Sequence, residues 1–207
     1  MSTGLLVCAP LHVEAWALRR DLGSRTVRRT GYGVRRSARS AVRLLHHPGH
    51  ALAVAGVAGG IDPAVRSGDV VVADDLLGAD GTVVRTCRSA RLVEELRRRG
   101  LTVHCGPIVT ADRLVRGAER PEWSRTEAIA VDMESAVLAG AAGDRAFAVV
   151  RVAVDTVCEP LLNPGTPRRG WAALRQLRRT AGPLARWASS VAPPDEEIHS
   201  TRTREVS

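Results

Sequence analysis

Apolar and polar positions along this chain change period repeatedly. Residues 5–9, 51–57, 69–77, 101–110, 128–131 and 145–155 form apolar runs with the length and β-branched content of buried strands. Residues 26–32 are a further, more polar strand candidate. Between these runs the apolar period becomes helical. Residues 12–22 place Val13, Trp16 and Ala17 at helix spacing, and residues 35–45 place Ala38, Ala41, Val42 and Leu45 on one side. Residues 90–99 form a helix stopped by Gly100, and residues 133–142 and 171–188 are helical by period. This alternation predicts an α/β domain whose helices cover a central, largely parallel sheet. One domain is expected over residues 1–192. Residues 193–207 are polar, charged and proline-containing, with nothing to bury, and are expected to be a disordered tail.

Composition supports a folded domain, because 207 residues with 44% hydrophobic and 25% charged content can bury a sizeable core. The net charge of +8 first suggests a polyanionic partner. All 30 basic residues are arginine, however, and they occur throughout the chain, which points to coding bias more than to a dedicated surface. Aromatic residues make up only 3%, few for stacking on single-stranded nucleic acid, and neither a helix-turn-helix nor a zinc motif appears. Cys8, Cys87, Cys105 and Cys158 lack metal-ligand spacing. Cys8 and Cys105 lie in strand runs and are expected to be small buried residues. No basic leader precedes residues 5–9, and no apolar stretch approaches the roughly 20 residues needed to span a bilayer. A reduced, cytoplasmic protein is expected.

Four segments could carry chemistry. The first is Val54-Ala-Gly-Val-Ala-Gly-Gly-Ile-Asp, where a strand runs into small residues that let a ligand approach the backbone. Its glycine spacing is not that of a dinucleotide fingerprint, and a tight turn between strands explains it equally well. The second is Ala130-Val-Asp-Met-Glu-Ser-Ala, which sets Asp132 and Glu134 at a strand–helix junction; plain capping and helix-dipole roles also fit them. The third is Asp155, directly after a valine-rich strand, and the fourth is Glu14, early in the first helix, where an exposed charge is the simplest expectation. All of these acids fall near strand ends, where α/β sheets bind ligands. His46, His47 and His50 hint at a metal, but they sit in a Pro-Gly loop without an acidic or cysteine partner, so no metal is expected.

Taken in order, Gly56-Val-Ala-Gly-Gly-Ile with Ser67-Gly-Asp-Val-Val-Val, then Val131-Asp-Met-Glu-Ser-Ala, then Arg151 to Asp155 resemble the nucleoside phosphorylase and nucleosidase superfamily. Thr30-Gly-Tyr-Gly resembles its Gly-x-Gly segment, and the likeness spans residues 4–190. It implies a single-domain three-layer α/β/α fold around a mixed, largely parallel sheet. It also implies roles. Asp155 matches the acid that protonates or hydrogen-bonds purine N7, and Glu14 the base that orients the attacking water. Glu134 matches the acid on the ribose hydroxyls, with Met133 beneath the sugar. Val57, Ala58, Gly59, Leu114, Val115, Asp132 and Val154 match positions around base and ribose. Asp155 would need a pKa raised by burial among valines, while Glu14 would need to be ionised.

The departures matter too. Val154 replaces the usual serine before the acid. Val54 and Val57 stand where many phosphorylases carry phosphate ligands, and His12 where some carry another arginine. Hydrolysis is therefore favoured, with phosphate kept open as a co-substrate through His12, Arg28 or Arg29, and no cofactor is implied. The loop Pro160-Leu-Leu-Asn-Pro-Gly-Thr resembles the hopanoid-biosynthesis-associated branch, which implies adenine release from adenosylhopane to give ribosylhopane. A methylthioadenosine/S-adenosylhomocysteine nucleosidase, a purine nucleoside phosphorylase and a non-catalytic nucleic-acid-binding protein are the alternatives. In residues 171–188, Trp171, Leu174, Leu177, Ala181, Leu184 and Trp187 share a face opposed by arginines. That pattern suits either packing on the sheet or peripheral contact with the inner membrane face. A homodimer is implied by the resemblance.

Overall fold

The computed structural model describes residues 4–115, 123, 126–156 and 166–193. Its strands are β1 (Leu5–Ala9), β2 (Val27–Arg29), β3 (Ala51–Gly60), β4 (Val70–Leu77), β5 (Val83–Thr86), β6 (Val103–Thr110), β7 (Ala130–Asp132) and β8 (Ala146–Asp155). Its helices are α1 (His12–Leu22), α2 (Val34–Leu44), α3 (Ala90–Arg98), α4 (Ser135–Ala139), α5 (Thr166–Arg179) and α6 (Ala181–Ser190). The eight strands form one mixed sheet in the order β2-β1-β3-β7-β6-β4-β5, with β8 pairing with both β3 and β4. Pairing is parallel for β1–β2, β1–β3, β3–β8, β4–β6 and β6–β7, and antiparallel for β3–β7, β4–β5 and β4–β8. The strands β3, β8, β4, β6 and β7 thus close a circuit.

Successive strand residues face opposite sides. Leu5, Val7 and Ala9 join one core cluster with residues of α1, α3, α5 and α6. Leu6 and Cys8 join another with residues of α2 and α4. The buried strands carry no polar alternation because helices cover both faces.

Several expectations are corrected at the level of faces and ends. Helix α1 turns Val13 and Trp16 outward, 49% and 47% exposed, and buries Glu14, Ala15, Ala17 and Leu18 instead. Helix α2 buries Ser37, Ala41 and Leu44, whereas Ala38, Val42 and Leu45 are exposed. Ser37 can be buried because its hydroxyl donates to the Gly31 carbonyl at 3.1 Å. Cys8 is buried as expected, but Cys105 is exposed. Within β6, only Ile108–Thr110 pair with β7, which leaves the first half of β6 unpaired on that edge. Residues 26–32 yield only the short β2, and β5 carries too exposed a pattern to stand out in the sequence. The helix expected over 133–142 shrinks to α4.

Residues 171–188 form two helices that break at Thr180. Leu177, Ala181, Leu184 and Trp187 of their shared face are core residues, and Trp171 is exposed. That apolar face is spent on the sheet. Among the described residues, no helix is long and apolar enough to cross a membrane. The tail expectation falls on residues 194–207 and Cys158 on residues 157–165, all outside the described residues.

Candidate active site

Sheet register brings the sequence segments together. Gly59 of β3 pairs with Asp155 of β8 on one side and with Val131 of β7 on the other. Thr110 of β6 pairs with Asp132. The glycine-rich strand end, the Asp-Met-Glu segment and Asp155 therefore meet where the parallel strands β3 and β8 end beside β7 and the end of β6, and the carboxyl ends of parallel strands are where α/β sheets bind ligands. A cavity of about 300 Å³ opens there. Val57, Ala58 and Gly59 form one wall, Asp132, Met133 and Glu134 a second, and Val154 and Asp155 a third. Leu114 and Val115 complete it, with Leu11, Tyr32, Arg113 and Val131. The lining is mostly apolar, as is usual for a small-molecule site.

Behind this wall lies a buried charge network. Arg151, in the middle of the apolar β8, is 0% exposed. Its guanidinium bonds Asp132 Oδ2 at 2.7 Å, Glu134 Oε2 at 3.4 Å and the Ser135 hydroxyl at 3.0 Å. Its Nη1 also donates to the Val57 carbonyl at 3.5 Å. Glu14 is 1% exposed and accepts two amide hydrogens, from Val57 at 2.8 Å and from Leu11 at 2.7 Å. It sits behind Leu11 and Val57, which themselves line the cavity. Gly56 is required here, since a Cβ at that position would come within 2.7 Å of both Arg151 Nη1 and Glu14 Oε1.

One arginine thus faces three carboxylates in a dry environment. Burial pushes the Glu14 carboxyl up, opposed by Arg151 and the two amides and reinforced by Asp132. Burial also raises Glu134, against the pull of Arg151 and with a push from Asp132. For Arg151, burial works against the charge, but Asp132, Glu134 and Glu14 outweigh it and the guanidinium is held more firmly protonated.

Asp132 is a scaffold as much as a charge. Its Oδ1 accepts from the Thr110 hydroxyl at 2.8 Å and from the amides of Glu134 and Ser135 at 3.1 Å each. This fixes the turn into α4 and aims Glu134 into the cavity. Glu134 Oε1 accepts the Gly33 amide at 2.9 Å. Gly31 and Gly33 both take positive φ, 93° and 83°, and this carries Tyr32 around to the cavity. Asp155 is 6% exposed at the cavity wall.

His12 lies elsewhere: it is exposed on the first turn of α1 and is not part of the cavity lining. Sequence reasoning missed Arg151 as a site residue, along with Leu11 and Arg113. The signal for Arg151 was present, as a lone arginine inside the valine-rich run of β8. No cluster of three or more metal-type ligands occurs among the described residues.

The family model of the phosphorylase superfamily matches residues 22–166. The chain belongs to the phosphorylase superfamily. Solved structures of this superfamily member's fold include the 5′-methylthioadenosine/S-adenosyl homocysteine nucleosidase of Campylobacter jejuni, with TM-score 0.77 and 15% identity over 90% of this chain and 98% of that one. The futalosine hydrolase of Helicobacter pylori has TM-score 0.72 and 16% identity, covering 91% and 97%. The 5′-methylthioadenosine/S-adenosylhomocysteine nucleosidase of S. pneumoniae, solved with a transition-state inhibitor, has TM-score 0.68 and 21% identity, covering 91% and 99%. Comparison with curated proteins finds no match.

Proposed function

We propose that this superfamily member hydrolyses the N-glycosidic bond of a 5′-substituted adenosine and releases adenine. The observation that carries this reading is the arrangement of Glu14, Arg151 and Glu134 behind and beside a mostly apolar cavity that Asp155 closes. In this reading Glu134 holds the ribose hydroxyls and Met133 lies under the sugar, since both line the cavity. The C1′–N9 bond breaks with oxocarbenium character at C1′. Asp155 delivers or shares a proton at N7, so that adenine leaves neutral. Glu14 takes a proton from the water whose oxygen bonds to C1′. Its raised pKa brings it nearer the working pH of a general base. The nucleosidases and the hydrolase of similar fold support hydrolysis over phosphorolysis.

Tyr32 and Leu114 both line the cavity and remain 42% and 45% exposed, which gives it an apolar mouth. An apolar 5′-group can lie across that mouth, and adenosylhopane is the substrate implied by the sequence resemblance. The second reading, methylthioadenosine or S-adenosylhomocysteine, is favoured by the modest cavity volume of about 300 Å³. The membrane contact considered for the last helices loses its apolar face to the core and forms no part of this reading. A homodimer does, and a mass measurement in solution checks it.

The deciding experiment measures adenine release across adenosines with 5′-substituents of increasing apolar size, with and without phosphate. Phosphate-independent release that persists with the largest groups is expected for the hopanoid substrate. Turnover of only the small thio-substrates would establish the second reading, and no adenine release from any of them would overturn both.

A further inference from the structure

At the opposite end of the sheet, where β8 begins and β5 ends, lies a larger cleft of about 1010 Å³. Four separate segments converge on it: the loop after α2, the end of β5, the turn before β8, and the end of α6. Between them they bring Arg85, Arg88, Arg145, His46, His47 and His50 to one surface, and the only carboxylate among the described lining residues is Asp144.

These basic side chains divide into two groups. Arg145 is spent on structure, donating to the carbonyls of Ala142, His47 and Leu44 at 3.0, 3.1 and 2.9 Å. Arg85 reaches the Gly143 carbonyl at 3.2 Å and stacks 5.0 Å from the Phe147 ring. Arg88 and His46 are exposed, and among the described residues neither has a hydrogen-bond or ion-pair partner. His47 engages only Nδ1, with the Pro48 carbonyl, which leaves Nε2 open. The scaffold thus holds a rigid cationic frame in place while two side chains remain uncommitted.

The excess of basic side chains over carboxylates in this cleft calls for one kind of guest, an acceptor-rich anion. We propose that this cleft is a second binding site, distinct from the glycosidic-bond site, for a phosphorylated small molecule such as a nucleotide. Arginine forks suit phosphate oxygens, and the cleft is large enough for a nucleotide-sized ligand.

Calorimetric titration of the full chain with inorganic pyrophosphate tests this without a purine that could enter the other site, and ADP then adds the ring. Binding that weakens with salt is expected. Arg88→Ala combined with His46→Ala, both at exposed positions, should weaken pyrophosphate binding by about tenfold or more while adenine release stays unchanged. Three results would overturn the proposal: no pyrophosphate binding, binding indifferent to the double variant, or attachment to anionic vesicles without pyrophosphate binding. The last would assign the surface to a membrane.

Discussion

The backbone amide of Val57 donates to Glu14 Oε1 at 2.8 Å, which ties the first helix to the glycine-rich strand. With the Leu11 amide on the other oxygen, the carboxylate has one fixed orientation. Removing it as Glu14→Ala should lower adenine release by about 10²- to 10⁴-fold, the usual worth of a positioned base, with the circular dichroism spectrum unchanged. The base must be ionised, so activity is present above its folded pKa and lost as pH falls through it. Because burial raises that pKa, the acid limb of kcat/KM should lie above the ordinary glutamate value of 4.5. An acid limb at or below that value would separate Glu14 from the rate.

Gly56 makes a sharper probe, because it touches the same pair without being a titratable group. A Cβ there would meet Arg151 Nη1 and Glu14 Oε1 at 2.7 Å, and Glu14 Cδ at 3.0 Å. Neither partner can swing away, since both are buried and multiply bonded. Gly56→Ala should therefore cost at least tenfold in adenine release, together with about 1–3 kcal/mol of stability from overpacking. A variant with normal turnover would show that the Glu14–Arg151 spacing is not needed for the reaction.

Arg151→Met removes the one cation that, among the described residues, faces the three buried carboxylates. The expected loss is about 3–5 kcal/mol in a urea unfolding experiment, the cost of leaving a buried charge unpaired. The pH dependence follows from the raised pKa values of Glu14 and Glu134. A carboxyl whose folded pKa lies above its unfolded value binds more protons when folded, so it erodes stability as pH rises through that interval. Without Arg151 the interval widens. The deficit of the variant should be larger at about pH 8 than at about pH 5, and an equal deficit at both would show that the carboxylates do not depend on Arg151 for their charge.

The residues of the cavity wall were legible through the resemblance of the ordered motifs, and their place near strand ends agrees with it. The apolar runs marked the strands but not their order, so the β pairing that brings Gly59, Val131 and Asp155 together was not legible. What the apolar pattern could not show was which face turns inward when a charge is worth burying. Helix α1 exposes Trp16 and hides Glu14 because Arg151 and two amides wait for the carboxylate, and those partners lie far away in sequence. Helix α2 is rotated for a similar reason, through the hydrogen bond of Ser37. In both helices a satisfied polar group prevailed over an apolar one at the surface. Nor did the count of 30 basic residues single out Arg151, which is among the largest fully buried side chains of the described residues.

Asp155 can be tested through its leaving group. Adenine departs poorly as an anion, so a donor at N7 matters only as far as the base needs a proton. Asp155→Asn keeps the shape of the side chain and removes its acidity. It should lower adenine release by about 10²- to 10⁴-fold while unfolding at the same denaturant concentration as the parent. A riboside with a nitrophenolate leaving group needs no proton to depart. On that substrate the same variant should retain most of its activity, because Glu14, Glu134 and the sugar contacts are unaltered. Equal losses on both substrates would mean that Asp155 shapes the cavity and does not supply a proton. Together, the two rates distinguish an acid from a wall.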